Sequence, residues 1–215
     1  MKRSLEPELL DALGPEDSAA RHSRNDLRRI NRILGNEGWI LREWRRRGRP
    51  GERILEIGAG TGEMGVALTA RGLEVDGLDL WPRPPAWPQK AAWHQSDLRT
   101  FVGYDRYPVI LANLLLHQFS AADLAALGRR LDGARLILAS EPARRRWSQM
   151  LFALLAPLFG ANHVTRHDGR VSIAAGFIGD ELPAALGLAS DRWTWSCRTS
   201  WLGAYRMVAL RRSAP

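Results

Sequence analysis

The sequence predicts a doubly wound α/β domain with a largely parallel sheet. Short apolar segments alternate with helical segments from residue 53 onward, and a glycine-rich turn over 58–62 follows the first apolar segment directly. Such alternation is typical of parallel strands with helices on both faces of the sheet. Two strand-like segments, 192–199 and 204–211, follow one another at the end of the chain and indicate an antiparallel hairpin.

The alternation is preceded by a segment that predicts an N-terminal helical cap. A short helix and a loop are expected within residues 1–20. Apolar residues recur at helical spacing over 24–47, with a break expected at Gly35 or Asn36. The opposite face of this segment is dense in arginine.

The predicted elements of the alternating region follow from the spacing of apolar residues and from the glycines and prolines that separate the segments. Strands are expected at 53–57, 73–80, 91–94, 108–113, 135–139, 192–199 and 204–211. Helices are expected at 61–71, 120–131, 142–159 and 179–186, with a weak helical turn at 98–102. Ser120 is the expected N-cap of the helix that it begins.

Length and composition define the class of protein. The 215 residues suffice for one domain, and the single cysteine, Cys197, excludes a disulfide framework within one chain and is compatible with a reducing cytoplasm. The N-terminus lacks the apolar stretch of a signal peptide, and the longest apolar stretch, 150–159, is too short to span a bilayer. The net charge of +8 has two equally good interpretations: the protein binds an anionic partner, or it is simply rich in arginine and has no such partner.

The strongest chemical signal is the segment Glu56-Ile57-Gly58-Ala59-Gly60-Thr61-Gly62. Glycines allow a tight turn and a close approach of a ligand at the carboxyl end of a strand. A dinucleotide fingerprint would place its third glycine where Glu63 stands, and the P-loop lysine is absent. The segment therefore favours a ligand that combines an adenosine with a cationic, zwitterionic tail.

Polar residues follow the next three predicted strands. Asp79, with Leu80 beside it, ends the second strand, where a carboxylate can accept hydrogen bonds from both ribose hydroxyls. Asp97 follows the third strand and can accept from an adenine amino group while Leu98 packs on the ring; the alternative is that Asp97 is a helix N-cap. Asn113 ends the fourth strand.

Taken together, these motifs resemble the class I S-adenosylmethionine-dependent methyltransferase family. The resemblance implies a Rossmann-like, doubly wound, seven-stranded and mostly parallel sheet with an antiparallel last strand. It implies a single domain made of a helical cap (1–48), a cofactor-binding half (53–140) and an acceptor-side half (141–215). S-adenosylmethionine is the expected cofactor and S-adenosylhomocysteine the product. The expected cofactor-binding residues are Glu56, Gly58, Ala59, Gly60, Gly62, Asp79, Leu80, Asp97, Leu98, Asn113 and Leu114.

A narrower resemblance concerns residues 24–36, 161–168 and 175–177, which look like segments of small bacterial methyltransferases that are often encoded beside type III polyketide synthases. It implies secondary metabolism and a phenolic or quinol-type acceptor, aromatic or lipid-tailed. Those relatives often carry two adjacent histidines after the fourth strand. This chain has Gln118 in the second place, so no role is assigned to a histidine pair.

Methyl transfer mainly needs proximity and orientation, but a phenol must also lose its proton. A neutral histidine suits that task, and His117 is the first candidate for the base, with His167 second and Asp168 able to orient it. The alternative for each histidine is a packed or surface imidazole. No cluster of residues has the spacing of a metal site, so no metal is expected.

Two arginine-rich segments have alternative interpretations. Arg24 or Arg32 could meet the carboxylate of the cofactor, or the arginines of this helix could form a solvated face. The helix over 142–159 is interpreted as a core helix. Its alternatives are a lid over a greasy acceptor and contact with an anionic membrane surface.

The predicted function is methylation of a small molecule by a cytoplasmic monomer or dimer, with O-methylation favoured and C-methylation of a similar ring as the alternative. A nucleic-acid methyltransferase is suggested by the charge. It is less expected because Asn113 is followed by three leucines instead of the Pro-Pro-aromatic pattern suited to exocyclic amines. A binding protein without catalysis is the third alternative.

Overall fold

A computed structural model of the chain describes residues 1–14 and 16–212. The last three residues of the predicted acceptor-side half lie outside the described residues. The α-helices are α1 (Leu9–Ala12), α2 (Ser18–Leu34), α3 (Asn36–Arg47), α4 (Glu63–Thr69), α5 (Ala121–Arg130), α6 (Arg146–Leu158), α7 (His163–Ala175) and α8 (Glu181–Ala185). Short 3₁₀ helices lie at Tyr104–Arg106, Leu116–Gln118 and Leu131–Gly133.

The strands form one seven-stranded sheet in the order β3-β2-β1-β4-β5-β7-β6. They are β1 (Ile54–Ile57), β2 (Val75–Asp79), β3 (Trp93–Gln95), β4 (Val109–Asn113), β5 (Leu136–Pro142), β6 (Trp193–Thr199) and β7 (Ala204–Arg211). Strands β1 to β5 pair in parallel, and β7 lies antiparallel between β5 and β6. The predicted fold class, including the antiparallel end of the sheet, is confirmed.

Two apolar layers enclose the sheet, and the central strand β4 contributes to both. Ile110 and Ala112 face the layer that also holds Phe177 and Trp193. Val109 and Leu111 face the opposite layer, which contains residues of α3 and α4. A strand that is buried on both faces has apolar residues at successive positions. The sequence therefore identifies β4 clearly.

Several boundaries differ from the predictions. The break at Gly35 is confirmed, with φ of 66°, as is Ser120 as an N-cap, since its side chain accepts a hydrogen bond from the Asp123 amide. Strand β5 extends to Pro142, so that α6 begins only at Arg146. The weak helical turn expected at 98–102 is present as a hydrogen-bonded turn over 98–100, in which the Asp97 carbonyl accepts from the amides of Thr100 and Phe101. Helix α7 was not predicted.

The interpretation of residues 142–159 as a core helix is wrong. The buried positions of α6 in the described chain are Ser148 and Ala156, whereas Met150, Leu154 and Leu158 are largely exposed. Within residues 1–14 and 16–212, no helix has both the length and the apolarity that a membrane crossing requires.

Candidate active site

The glycine turn joins β1 to α4 at the carboxyl edge of the sheet. Gly58, Gly60 and Gly62 all have positive φ, at 64°, 55° and 81°, which side chains other than glycine rarely adopt. A Cβ atom at Gly58 would lie 2.4 Å from Leu115 Cδ1, whereas a Cβ at Gly60 would meet no atom within 4 Å. The turn therefore presents bare backbone to an open space at Gly60.

That open space belongs to a cavity of about 560 Å³. The glycine turn and the end of β4 form one side of the cavity, through Gly58, Gly60 and Asn113. Helices α2, α6 and α7 form the other walls, and the segment before α1 contributes Glu8. The cavity lies where ligands bind in open α/β sheets, outside the carboxyl ends of the strands.

Glu56 lies in β1 beneath the turn and is 3% exposed. Within the described part of the chain, its Oε2 atom has no hydrogen-bond partner by distance and angle. Glu56 also borders the cavity. Burial, which the Gly65 amide opposes through a hydrogen bond and the nearby charges of Glu63 and Asp79 reinforce, raises the pKa of Glu56 to about 8. A cationic ligand in the cavity would favour the ionised carboxylate.

This buried carboxyl group predicts a pH dependence of stability. The folded-state pKa of Glu56 lies above its ordinary value of 4.5. The native chain therefore binds the extra proton, and stability falls as the pH rises from 4.5 through 8. We expect Glu56→Gln to remove this loss and to raise the free energy of unfolding at pH 8 by on the order of 3–5 kcal/mol. Urea denaturation at pH 5 and pH 8 measures it. An unchanged pH slope, or the same change in the exposed Glu16→Gln variant, would contradict the assignment.

Two of the predicted carboxylates, Asp79 and Asp97, lie outside the cavity lining and are engaged in local hydrogen bonds. Asp79 Oδ2 accepts a hydrogen bond from the Gly60 amide at 2.7 Å, and Oδ1 accepts one from the Trp81 amide at 2.9 Å. Asp97 accepts from the guanidinium and the amide of Arg99, which lowers the pKa of Asp97. Asp97 thus begins a turn, and the alternative that it caps a helix is wrong.

The predicted cofactor residues fall into two groups. The cavity is bordered by Glu56, Gly58, Ala59, Gly60, Asn113 and Leu114. Gly62, Asp79, Leu80, Asp97 and Leu98 lie outside its lining, along the ends of β2 and β3 and the start of α4. Leu98 is buried in the apolar layer around Phe177, and Leu80 is exposed. Their roles toward a cofactor stay predictions.

An amide cluster ties the helical cap to the end of β4. Asn36 Nδ2 donates to Asn31 Oδ1 at 2.8 Å and to Asn113 Oδ1 at 3.0 Å. The next residue, Leu114, has a φ of 56°, a left-handed conformation that is strained for a leucine. Sequence reasoning placed Asn31 and Asn36 in a family-like segment but assigned them no role.

His117 lies between two carboxylates at the cavity wall and is 3% exposed. Its Nδ1 lies 2.7 Å from Glu141 Oε2, and its Nε2 lies 3.3 Å from Glu8 Oε1. Glu141 is fully buried at the end of β5 and also accepts hydrogen bonds from the backbone amides of residues 115–117. Glu8 further contacts the Ser172 hydroxyl.

The charge state of His117 differs from the expected one. Burial alone lowers the pKa of the imidazole, but the hydrogen bonds and charges of Glu141 and Glu8 outweigh it and raise the pKa to about 9. The two carboxylates therefore favour the protonated imidazole of His117 at pH 7, whereas the role of a base would need the neutral form.

Asp168 binds the N-terminal segment as well as His167. Its carboxylate accepts hydrogen bonds from the amides of Leu9 and Leu10, at 2.7 and 2.9 Å. His167 Nδ1 lies 3.0 Å from the same carboxylate, so Asp168 can orient it as predicted. His167 itself does not border the cavity, which separates it from His117.

The arginine-rich face of α2 covers the glycine turn. Arg28 donates to Glu63 at 2.8 Å, which joins α2 to the first turn of α4. Arg24 and Arg32 both border the cavity, so the interpretation of the whole arginine face as solvated is incomplete.

Three residues in or directly behind the cavity wall were missed by sequence reasoning: Glu8 and Ser148 line the cavity, and the buried Glu141 contacts His117 from behind it. Glu141 stands at the carboxyl end of β5, a position that the topology could have marked. Ser148 has a buried Oγ atom without a hydrogen-bond partner in the described residues. Glu8 gave no signal, because it lies 109 residues from the histidine that it contacts. No group of three or more His, Cys, Asp or Glu side chains suited to a metal occurs in the described residues.

Comparisons with known proteins place the fold. No protein-family model and no curated sequence matches the chain. The chain is similar to the solved structure of the plantazolicin methyltransferase BpumL in complex with S-adenosylhomocysteine, at 15% identity and a TM-score of 0.71, with 92% of each chain covered.

Two further solved structures are similar. Magnesium protoporphyrin IX methyltransferase from Synechocystis PCC 6803 with bound S-adenosylhomocysteine has 15% identity and a TM-score of 0.52, covering 95% of this chain and 91% of that one. A structure on the conversion of a disulfide bond into a thioacetal group during echinomycin biosynthesis has 20% identity and a TM-score of 0.55, with 79% of each chain covered. The chain therefore has the fold of the class I S-adenosylmethionine-dependent methyltransferases.

Proposed function

We propose that the protein is an S-adenosylmethionine-dependent methyltransferase that acts on a small-molecule acceptor, with O-methylation of a phenolic or quinol-type ring as its reaction. The observation that carries the proposal is the continuous cavity from the bare backbone at Gly60 to the carboxylate-flanked His117. The similar solved structures with bound S-adenosylhomocysteine support it. A cytoplasmic location and a monomeric or dimeric state stay predictions.

The residues at the glycine turn fit this cofactor. The open space at Gly60 accepts a ligand where a side chain would project, and the unpaired oxygen of Glu56 suits a cationic group. Arg24 and Arg32 border the same cavity and suit a carboxylate. When bound, the cofactor supplies a methyl group on a sulfonium that is already activated. The protein then mainly has to hold and orient the acceptor.

The acceptor end of the cavity combines an apolar wall with the charged group around His117. Leu151, Phe152 and Leu155 of α6 supply the apolar wall, which fits an aromatic or lipid-tailed molecule. Glu8 borders the cavity beside His117, and its carboxylate is our candidate to accept the phenol proton, while the His117 cation would stabilise the negative charge that develops on the phenol oxygen. Burial opposes ionisation of Glu8, but the hydrogen bonds and charge of His117 and the hydrogen bonds of Ser172 and Gln118 lower its pKa overall, so the carboxylate is ionised and would pass the proton on to solvent. C-methylation of a similar ring would use the same groups.

The experiment is incubation with methyl-labelled S-adenosylmethionine and a panel of alkylresorcinols and alkyl quinols, with detection of labelled product by mass spectrometry. A labelled phenol ether supports the proposal. Label that appears only in RNA contradicts the small-molecule acceptor, and a ring-methylated product replaces O-methylation by C-methylation.

Glu8 gives a variant that separates acceptor chemistry from cofactor binding. We expect Glu8→Gln to lower kcat by about a hundredfold or more, because the neutral amide cannot accept the proton. Its affinity for S-adenosylhomocysteine should match that of the parent, since Glu8 borders the acceptor end of the cavity. The exposed neighbour in Glu6→Gln is the control and should keep full turnover. An unchanged kcat in Glu8→Gln would remove Glu8 from the mechanism.

A further inference from the structure

An exposed apolar patch lies on the outer face of α6 and the turn between β6 and β7. Its members are between 40% and 83% exposed. They are Trp147, Met150, Leu154, Leu158, Phe159 and Trp201. Scattered single apolar residues are normal on a protein surface, but a contiguous group of this kind marks an interaction site.

The patch forms one continuous surface. Trp147, Met150, Leu154 and Leu158 recur at helical spacing along one side of α6. The hairpin turn lies against the start of this helix, since a Cβ atom at Gly203 would be 3.0 Å from Ser148 Oγ and 3.9 Å from Trp147 Cη2. Trp201 in this turn therefore extends the patch beyond the N-terminal end of α6.

Helix α6 is apolar on two sides, and its inner side borders the cavity. Leu151, Phe152 and Leu155 line the cavity, while the patch faces outward. Phe159 belongs to both surfaces, because it borders the cavity and is 52% exposed. A helix that is apolar all round is expected within a large core or in contact with lipid. The described chain provides no second layer over the outer face.

The two segments that build the patch carry positive charge and no negative charge, which favours an anionic partner. Residues 142–167 contain no aspartate or glutamate, and neither do residues 192–212, so both segments that build the patch are free of acidic groups. Arg145 and Arg146 are exposed at the start of α6, next to Trp147. Tryptophan and arginine at the edge of an exposed leucine and methionine surface are typical of contact with an anionic lipid headgroup layer.

We propose that the patch docks the protein onto the surface of an anionic phospholipid membrane. The apolar side chains enter the boundary between headgroups and acyl chains, and Arg145 and Arg146 pair with lipid phosphates. The membrane contact itself does not depend on the proposed function. If the proposed function holds, a lipid-tailed acceptor would enter the cavity past Phe159 without leaving the lipid surface. This consequence rests on the proposed function.

Vesicle flotation with the whole chain, without cofactor or acceptor, tests this docking. The parent should float with vesicles that contain phosphatidylglycerol and much less with pure phosphatidylcholine. Leu154→Glu should weaken the partitioning by at least about tenfold, because it replaces an exposed leucine that would enter the lipid with a charged carboxylate. Val102→Glu changes an even more exposed apolar residue in the segment after β3, which is the edge strand opposite β6, and should bind as the parent does.

Two arginine variants separate the charge contribution. Arg146→Glu should weaken binding to anionic vesicles by about fivefold or more, and Arg129→Glu on α5 should change it much less. Failure of the parent to bind anionic vesicles, or equal loss in Val102→Glu and Leu154→Glu, would overturn the proposal. So would light scattering that shows a dimer which Leu154→Glu dissociates, since the patch would then be an interface between two copies.

Discussion

Gly60→Arg is expected to lose at least about a hundredfold in affinity for S-adenosylhomocysteine, which corresponds to about 2.7 kcal/mol of binding free energy. A side chain at Gly60 meets no protein atom within 4 Å of its Cβ, so it would project into the cavity and occupy the space of the ligand. The measurement is calorimetric titration of the variant with S-adenosylhomocysteine.

The control for this substitution is Gly187→Arg. Gly187 has a φ of 67° and equally open space around its Cβ position, but it does not border the cavity. Both variants therefore carry a similar strain of about 1–2 kcal/mol from a left-handed arginine. If Gly187→Arg loses affinity as Gly60→Arg does, or if Gly60→Arg binds like the parent, the ligand does not lie on the glycine turn.

Glu141→Ala is expected to destabilise the fold by about 3–5 kcal/mol, because it leaves the His117 cation buried with one partner fewer. It also removes the acceptor for three backbone amides after β4. Urea denaturation near pH 7 measures the change. Glu74→Ala, which breaks an exposed ion pair with Arg53, should cost less than about 1 kcal/mol. Similar losses in the two variants would contradict a buried charged pair at His117.

The same pair gives a pH dependence with a defined sign. The pKa of His117 rises from its ordinary value of 6.5 to about 9 in the folded chain. Its contribution to stability is therefore fully present below pH 6.5 and is lost as the pH rises through 9. Glu141→Gln keeps the shape of the side chain but removes its charge, so the imidazole should titrate at a lower pH when followed by NMR.

The central strands and the glycine turn could be predicted because local sequence determines them. Val109 to Ala112 are apolar on both faces, and the glycines at 58, 60 and 62 provide the three positive φ angles of the turn. These features need no knowledge of distant residues. The order of the later strands followed from the resemblance and from the paired strand pattern near the C-terminus.

Elements that depend on tertiary contacts could not be predicted in this way. Helix α7 contains Gly169 and several β-branched residues, which lower helix propensity. Gly169 allows Phe152 of α6 to pack closely, since a Cβ there would lie 2.1 Å from Phe152 Cζ. The apolar sequence of α6 favoured a core helix, because sequence alone does not show that one side of the helix borders a cavity and the other is exposed. Glu8 lies beside His117 because the N-terminal segment packs across α7, a tertiary contact that local sequence does not show.

The most direct test of the central claim, a cofactor seated on the glycine turn, is calorimetric titration of the parent chain with S-adenosylhomocysteine at pH 7 and at pH 8.5. The account predicts saturable binding with one site per chain. It also predicts tighter binding at the higher pH, because the ligand's ammonium group favours ionised Glu56. An absence of binding to the folded parent chain at either pH would contradict the account.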